Sequence, residues 1–295
     1  MHAVRPKRYE RKTMDMRTIC LTILAMLAFA ANSLLCRLAL KDGHIDAASF
    51  TALRIGSGAL VLALIMRARG ARPLAAGNWR SAWALFVYAA GFSAAYLGLS
   101  AATGALLLFG AVQATMIGYG LYAGERMTAR QVAGLAIAAA GLTALLLPGL
   151  AAPSLLHALL MATAGIAWGV YSLRAKGAGD PANATAGNFL RAAPMALALG
   201  LAWLPWSRIE SAGIAYALAS GALASGLGYV IWYQALRGLN ATTAASVQLC
   251  VPVLATLGGV LLLSEPLSWR LLYSALAILG GLALVMFGKA RPRPG

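Results

Sequence analysis

Residues able to do acid–base or ligand chemistry are few in this chain, and they are scattered. The eight carboxylates are Glu10, Asp15, Asp42, Asp46, Glu125, Asp180, Glu210 and Glu265, and the three histidines are His2, His44 and His157. None stands at metal-ligand spacing or beside a nucleophile, and no glycine-rich phosphate loop is present. A catalytic centre needs titratable groups that converge in a cleft, so the sequence predicts no enzyme, no cofactor and no metal. Cys20, Cys36 and Cys250 lie inside apolar runs without CxxC spacing and read as small packing residues.

What the sequence does offer is chemistry of recognition. Asn32, Tyr88, Phe92, Gln113, Trp168, Tyr171, Tyr229, Tyr233 and Gln248 place aromatic bodies and neutral amides in several separate apolar runs. Together they suit a mostly apolar cavity with a few polar handles, the usual make-up of a small-molecule site. Pro194 and Pro252 each remove an N–H and free the carbonyl four residues back, that of Leu190 and that of Gln248. Broken helices of this kind help to build binding sites in membrane carriers. Arg54 and Arg191 each follow a leucine about two turns inside an apolar run. An arginine there is costly unless it is paired or faces water. Its functional role would be to line a path or hold a carboxylate; its structural role, which the sequence favours, is to bond helix ends and neighbouring backbone. Glu125 and Glu265 each end an apolar run at a tight turn, with Arg126 or Arg270 nearby. A gate or a proton site is one reading of them, and a cap for the turn into the next helix is the favoured one.

These residues must be positioned by membrane helices. Of 295 residues, 61% are hydrophobic and 11% charged, far from a soluble domain's roughly half apolar and quarter charged. Apolar runs of about 20 residues, long enough for roughly 30 Å of hydrocarbon, recur along the chain. Ten are read: Thr18–Leu40, Ala47–Met66, Ser81–Leu99, Gly104–Gly124, Thr128–Leu147, Ser154–Leu173, Thr185–Trp203, Ala212–Trp232, Ala241–Leu263 and Ser268–Gly288. The net charge of +16 does not point to nucleic acid, because the Lys and Arg residues fall in the connections. The first run resembles a signal peptide with Ala28-Phe29-Ala30 as its cleavage site, yet it continues to Leu40 and is kept as a membrane helix. With the N-terminus inside, 18 Lys and Arg residues lie on the cytoplasmic side and four on the other. The positive-inside bias therefore puts both ends in the cytoplasm.

The runs form two copies of one unit. Shifting the chain by 140 positions lays Thr103 on Thr243, Gly118 on Gly258, Glu125 on Glu265 and Gly141 on Gly281. Leu53-Arg54 echoes Leu190-Arg191, and Phe29–Arg37 can be laid over Trp168–Lys176. Five helices per copy means that the second copy starts on the other side and is inserted upside down. Inverted repeats are a hallmark of secondary transporters, with the substrate site near the midplane between them. The expected organisation is a cytoplasmic arm (1–17), a first repeat (18–148), an inverted second repeat (149–288) and a cytoplasmic tail (289–295). A single chain holds both halves, so a monomer suffices. Its expected partners are the lipid bilayer and a small-molecule substrate.

The two Leu-Arg pairs, the aromatic-rich first helix of each half and the turns at Glu125 and Glu265 carry a resemblance. Over about residues 18–288 the chain resembles ten-helix, EamA-type members of the drug/metabolite transporter superfamily. Its layout is similar to the YddG-type bacterial exporters of aromatic amino acids. The first copy departs from the family pattern, with Gln113 where a helix-4 proline is common. The resemblance implies export of small amphipathic metabolites, above all aromatic or hydrophobic amino acids, across a bacterial inner membrane by alternating access. The absence of an acid or histidine in mid-membrane points to facilitative flux; a proton-coupled exporter of drugs or other metabolites is the alternative.

Overall fold

The computed structural model describes residues 15–124, 126–147, 153–175, 179–239, 244 and 247–287. These residues form ten helices, without a strand among them: α1 (Met16–Lys41), α2 (Ala47–Ala68), α3 (Trp79–Ala95), α4 (Ala101–Tyr122), α5 (Ala129–Leu146), α6 (Leu155–Ala175), α7 (Pro181–Trp203), α8 (Ser211–Leu236), α9 (Cys250–Leu263) and α10 (Trp269–Phe287). Eight are long and apolar enough to cross a bilayer; α3 and α9 are shorter, at 17 and 14 residues. Glu125, Lys176, the arm up to residue 14 and the tail from residue 288 lie outside the described residues.

Polar residues set the helix starts. Asp46, Asn78, Ser100 and Asp180 each accept a hydrogen bond from a first-turn backbone N–H, and Thr128 with Gln131 forms a capping box. These caps correct the expected boundaries. Because Ser100 caps α4, that helix starts three residues before the expected Gly104, and α3 ends at Ala95 instead of Leu99. The expected helix over Ala241–Leu263 is interrupted at Leu249, three residues before Pro252, and its regular part starts at Cys250.

The packing carries the signature of an inverted repeat. Helix α2 packs on α7, α4 on α9 and α5 on α10, each a helix with its counterpart in the other half. All three couples run antiparallel, as inversion demands. Ala52 lies by Gly200 while Gly58 lies by Phe189, and Gly134 lies by Gly281 while Gly141 lies by Ala277. At the third couple Ala101, the first residue of α4, meets Gly259 near the end of α9. The remaining contacts exchange in the same way: α3 packs on α6 as α8 does on α1, and α4 on α6 as α9 does on α1. Small residues allow the close approach; a Cβ on Gly134 would fall 2.6 Å from the Gly281 carbonyl oxygen. Outward-facing Leu60, Leu64, Leu159, Leu201 and Leu276 are more than half exposed, a surface suited to lipid. The two ends of the described chain, in α1 and α10, lie on one face of this bundle, called here the terminal face.

Candidate functional site

At mid-height between the repeats, Phe29, Asn32, Tyr88, Phe92, Trp168, Ser225, Tyr229 and Gln248 line a cavity. A second cavity of about 340 Å³ shares Phe29, Trp168, Tyr229 and Gln248 with the first. It runs past Gln113, Tyr171 and Tyr233 to Ala175, Pro181 and Leu236, at the terminal-face ends of α6, α7 and α8. All nine residues singled out from the sequence as lining a site therefore stand on these two adjoining cavities, although they come from six different segments.

The rings are ordered against one another. Trp168 stacks between Tyr171 and Tyr229, with centroids at 5.3 and 5.4 Å and planes 27° apart in both pairs. Tyr88 lies 4.7 Å from Trp168, and Phe29 meets Tyr229 edge-on at 5.8 Å. The rings already pack on one another, so a flat apolar guest would meet the edges and faces they turn to the cavity. At the break before α9, Gln248 donates to the Ala244 carbonyl at 3.3 Å, which holds its amide at the cavity wall.

A polar network backs the aromatic wall. The Ser220 hydroxyl donates to Asn32 Oδ1 at 2.7 Å, which turns Asn32 Nδ2 toward the Tyr88 hydroxyl at 3.4 Å. Arg54 Nη2 donates to the same hydroxyl at 2.9 Å, and Arg54 Nε points at Ser225 Oγ at 3.5 Å. Ser220 and Ser225 both lie in the π-helical stretch Ala219–Leu227 of α8. On an α-helix, residues five apart diverge by about 140°. The wider π turn brings both hydroxyls toward the first repeat, in keeping with the association of π segments with functional sites.

The two matching arginines have different surroundings. Arg191 donates to the carbonyls of Leu74, Ala76 and Gly187 at 2.6–3.0 Å and so ties α7 to the turn before α3. Arg54 is fully buried, with its guanidinium carbon 5.1 and 4.8 Å from the Tyr88 and Phe92 ring centres, and its Nη1 has no partner among the described residues. Pro194 lies inside α7.

On the opposite face the two repeats are tied together. The Glu265 carboxylate accepts from Arg37 Nε at 2.9 Å and, through its other oxygen, from the Ala101 N–H at 2.8 Å. Arg37 also donates to the Tyr96 carbonyl, and Lys41 to that of Leu263. Where the sequence suggested a cap for the next helix with Arg270 beside it, the Glu265 carboxylate caps α4 of the other repeat and pairs with α1. The corresponding Glu125 lies outside the described residues. A separate strap joins the α1–α2 and α7–α8 connections on this face, through His44 on Glu210 at 2.7 Å, with Arg208 of the second connection steadying the same carboxylate at 3.0 Å. The hydrogen bond from His44, then that from Arg208, holds the Glu210 carboxyl below its ordinary value.

Phe29, Ser225 and the network through Ser220 were not predicted as site residues. The overlay of Phe29 on Trp168 was a signal for the first. Nothing in a Gly/Ser/Ala-rich run announces a π turn. Among the described residues no group of three or more His, Cys, Asp or Glu side chains comes together to hold a metal.

Comparison with known proteins agrees with this architecture. Residues 155–287 match the model of the EamA-like transporter family. The chain is 60% identical over 274 residues to the uncharacterized protein PA1977 of Pseudomonas aeruginosa, covering 92% of this chain and 95% of that one. A solved crystal structure shares the fold, with a TM-score of 0.65 at 21% identity over 92% of this chain and 99% of the other.

Proposed function

We propose that this chain, whose residues 155–287 match the EamA-like transporter family, exports small amphipathic metabolites, foremost amino acids with aromatic or hydrophobic side chains. Export runs by alternating access across a bacterial inner membrane, with both chain ends cytoplasmic. What supports this reading is the ring-lined space between the repeats, which adjoins a second cavity reaching the terminal-face ends of α6, α7 and α8, while Glu265 joins the repeats on the other face. With the terminal face cytoplasmic, this is the loading state of an exporter. Stacked Trp168, Tyr171 and Tyr229 receive a flat or branched apolar side chain, while Asn32 and Gln248 supply hydrogen bonds for the polar end.

Flux is facilitative in this reading. Proton-coupled carriers place an Asp, Glu or His inside the membrane as a relay, and none lines the described cavities. A zwitterion carries no net charge, so the membrane potential, about 2.3 kcal/mol per charge per 100 mV, neither drives nor opposes it. The test is counterflow into liposomes preloaded with single unlabelled amino acids. Phenylalanine, tyrosine, tryptophan and leucine should drive uptake of labelled phenylalanine, whereas lysine and glutamate should not. Uptake driven equally by all of them, or by none, contradicts the reading.

A further inference from the structure

Arg54 holds a positive charge at membrane depth for which the described protein supplies no anion. Its described partners are neutral: the Tyr88 hydroxyl, the Ser225 hydroxyl and the faces of Tyr88 and Phe92. The ion pairs among the described residues are Arg37–Glu265, His44–Glu210 and Arg208–Glu210, so none reaches Arg54. Burial of a guanidinium is costly unless an opposite charge or well-placed acceptors offset it. Cation–π contacts offset only part of that cost. Arg191, its counterpart in the other repeat, meets backbone carbonyls instead. The same Leu-Arg pair is thus satisfied in one copy and left short of an acceptor in the other, where Nη1 is unpartnered and buried.

The Tyr88 hydroxyl connects this charge to the cavity. Its oxygen already accepts from Arg54 Nη2 and Asn32 Nδ2, and the latter is oriented by Ser220. A phenol with both acceptor positions used still has its own O–H to donate. Tyr88 itself lines the cavity, and its hydroxyl accepts from Arg54 and Asn32 without donating to a described residue. A guanidinium on the far side of the oxygen strengthens the donor, and charge-assisted bonds to a carboxylate are the strong ones. No carboxylate stands on the cavity wall to receive an ammonium group in the same way.

We infer that the carboxylate is the end of the substrate this site reads, through the Tyr88 hydroxyl with Arg54 behind it, and that aromatic monocarboxylates lacking an α-amino group are substrates alongside amino acids. Tyr88 touches the ligand, and Arg54 is a positioning residue that acts through it. The inference rests on the exporter reading above and sharpens its substrate class.

The experiment is equilibrium displacement of labelled phenylalanine from the purified full-length protein by 3-phenylpropionate, phenylalaninamide and phenethylamine. 3-Phenylpropionate should compete within a few-fold of phenylalanine, and the two compounds without a carboxylate should compete at least about tenfold more weakly. Tyr88→Phe keeps the ring against Trp168 and Phe92 and removes the donor. It should weaken 3-phenylpropionate by about tenfold and erase the preference for carboxylates. Arg54→Lys should retain that preference better than Arg54→Gln, a charge rescue that a packing role would not show. Phenethylamine competing as well as phenylalanine, failure of 3-phenylpropionate to compete, or an unchanged preference in Tyr88→Phe overturns the anchor while leaving the exporter reading standing. Absence of phenylalanine binding itself overturns both.

Discussion

The guanidinium of Arg37 on α1 and the carboxylate of Glu265 after α9 meet at 2.9 Å across the boundary between the repeats. The second Glu265 oxygen caps the first N–H of α4, so one side chain fastens three helices over the cavity. An acid at a helix N-terminus is favoured by the helix dipole as well as by the hydrogen bond. In the proposed exporter this contact is the closure on the face opposite the chain ends.

Glu265→Gln removes one partner of a largely buried pair, which leaves Arg37 uncompensated. Losing a partner in such a setting costs about 3 kcal/mol. The variant should melt at a lower temperature, and a cysteine placed at Ser33 should become reactive to an impermeant reagent from the opposite face. A variant with native stability and unchanged reactivity contradicts the assignment of this contact as the closure.

Gly221→Ala drives a Cβ into the Arg54 carbonyl oxygen and the Ser57 hydroxyl, where α2 and the π turn of α8 touch. Overpacking of this kind costs about 1–3 kcal/mol. Gly56→Ala, between those two contact residues of α2 but on its exposed side, meets nothing within 4 Å and should be neutral or slightly stabilising. Thermal unfolding of the two variants side by side checks both; equal melting temperatures contradict the packing described.

Much of this was legible in the sequence, and for identifiable reasons. Long apolar runs announce membrane helices, and five helices per copy compel inversion, which the antiparallel contacts of α5 with α10 display. The lining residues were legible because a polar amide or a large ring in mid-membrane is uncommon enough to stand out. The partner of Glu265 was not legible. Local spacing suggests Arg270, whereas the actual contacts lie 228 and 164 positions away and depend on how the repeats interlock. The unlike surroundings of Arg54 and Arg191 were hidden for the same reason, since identical Leu-Arg pairs meet different neighbours. The π turn was hidden because its residues are small and carry no periodic signal.

The strap on the opposite face should loosen in acid. The folded carboxyl of Glu210 lies below its ordinary value of 4.5. A lowered folded value means stability that is present above the unfolded value and lost as the pH falls through the folded one. The Asp46 and Glu210 amides, which bond to the carbonyls of Arg208 and His44, should therefore lose hydrogen-exchange protection below the ordinary carboxylate range. Protection factors, corrected for intrinsic rate, that stay level from neutral pH to about pH 3.5 contradict the linkage.

Single cysteines at Ala75 and Ser211 test the orientation proposed. Ala75 lies in the turn before α3 on the terminal face, and Ser211 starts α8 on the other. In intact cells an impermeant maleimide should label Ser211→Cys and spare Ala75→Cys until the membrane is opened. Labelling of Ala75→Cys from outside reverses the orientation and, with it, the proposed direction of export.

Net flux through the reconstituted protein tests the central claim most directly. Liposomes loaded with labelled phenylalanine, at equal pH on both sides, should lose it until inside and outside concentrations match and then stop. An imposed pH gradient should leave that end point unchanged, because no titratable acid or histidine lines the described cavities. Accumulation of phenylalanine that follows the pH gradient, or no flux of it above protein-free liposomes, contradicts the account.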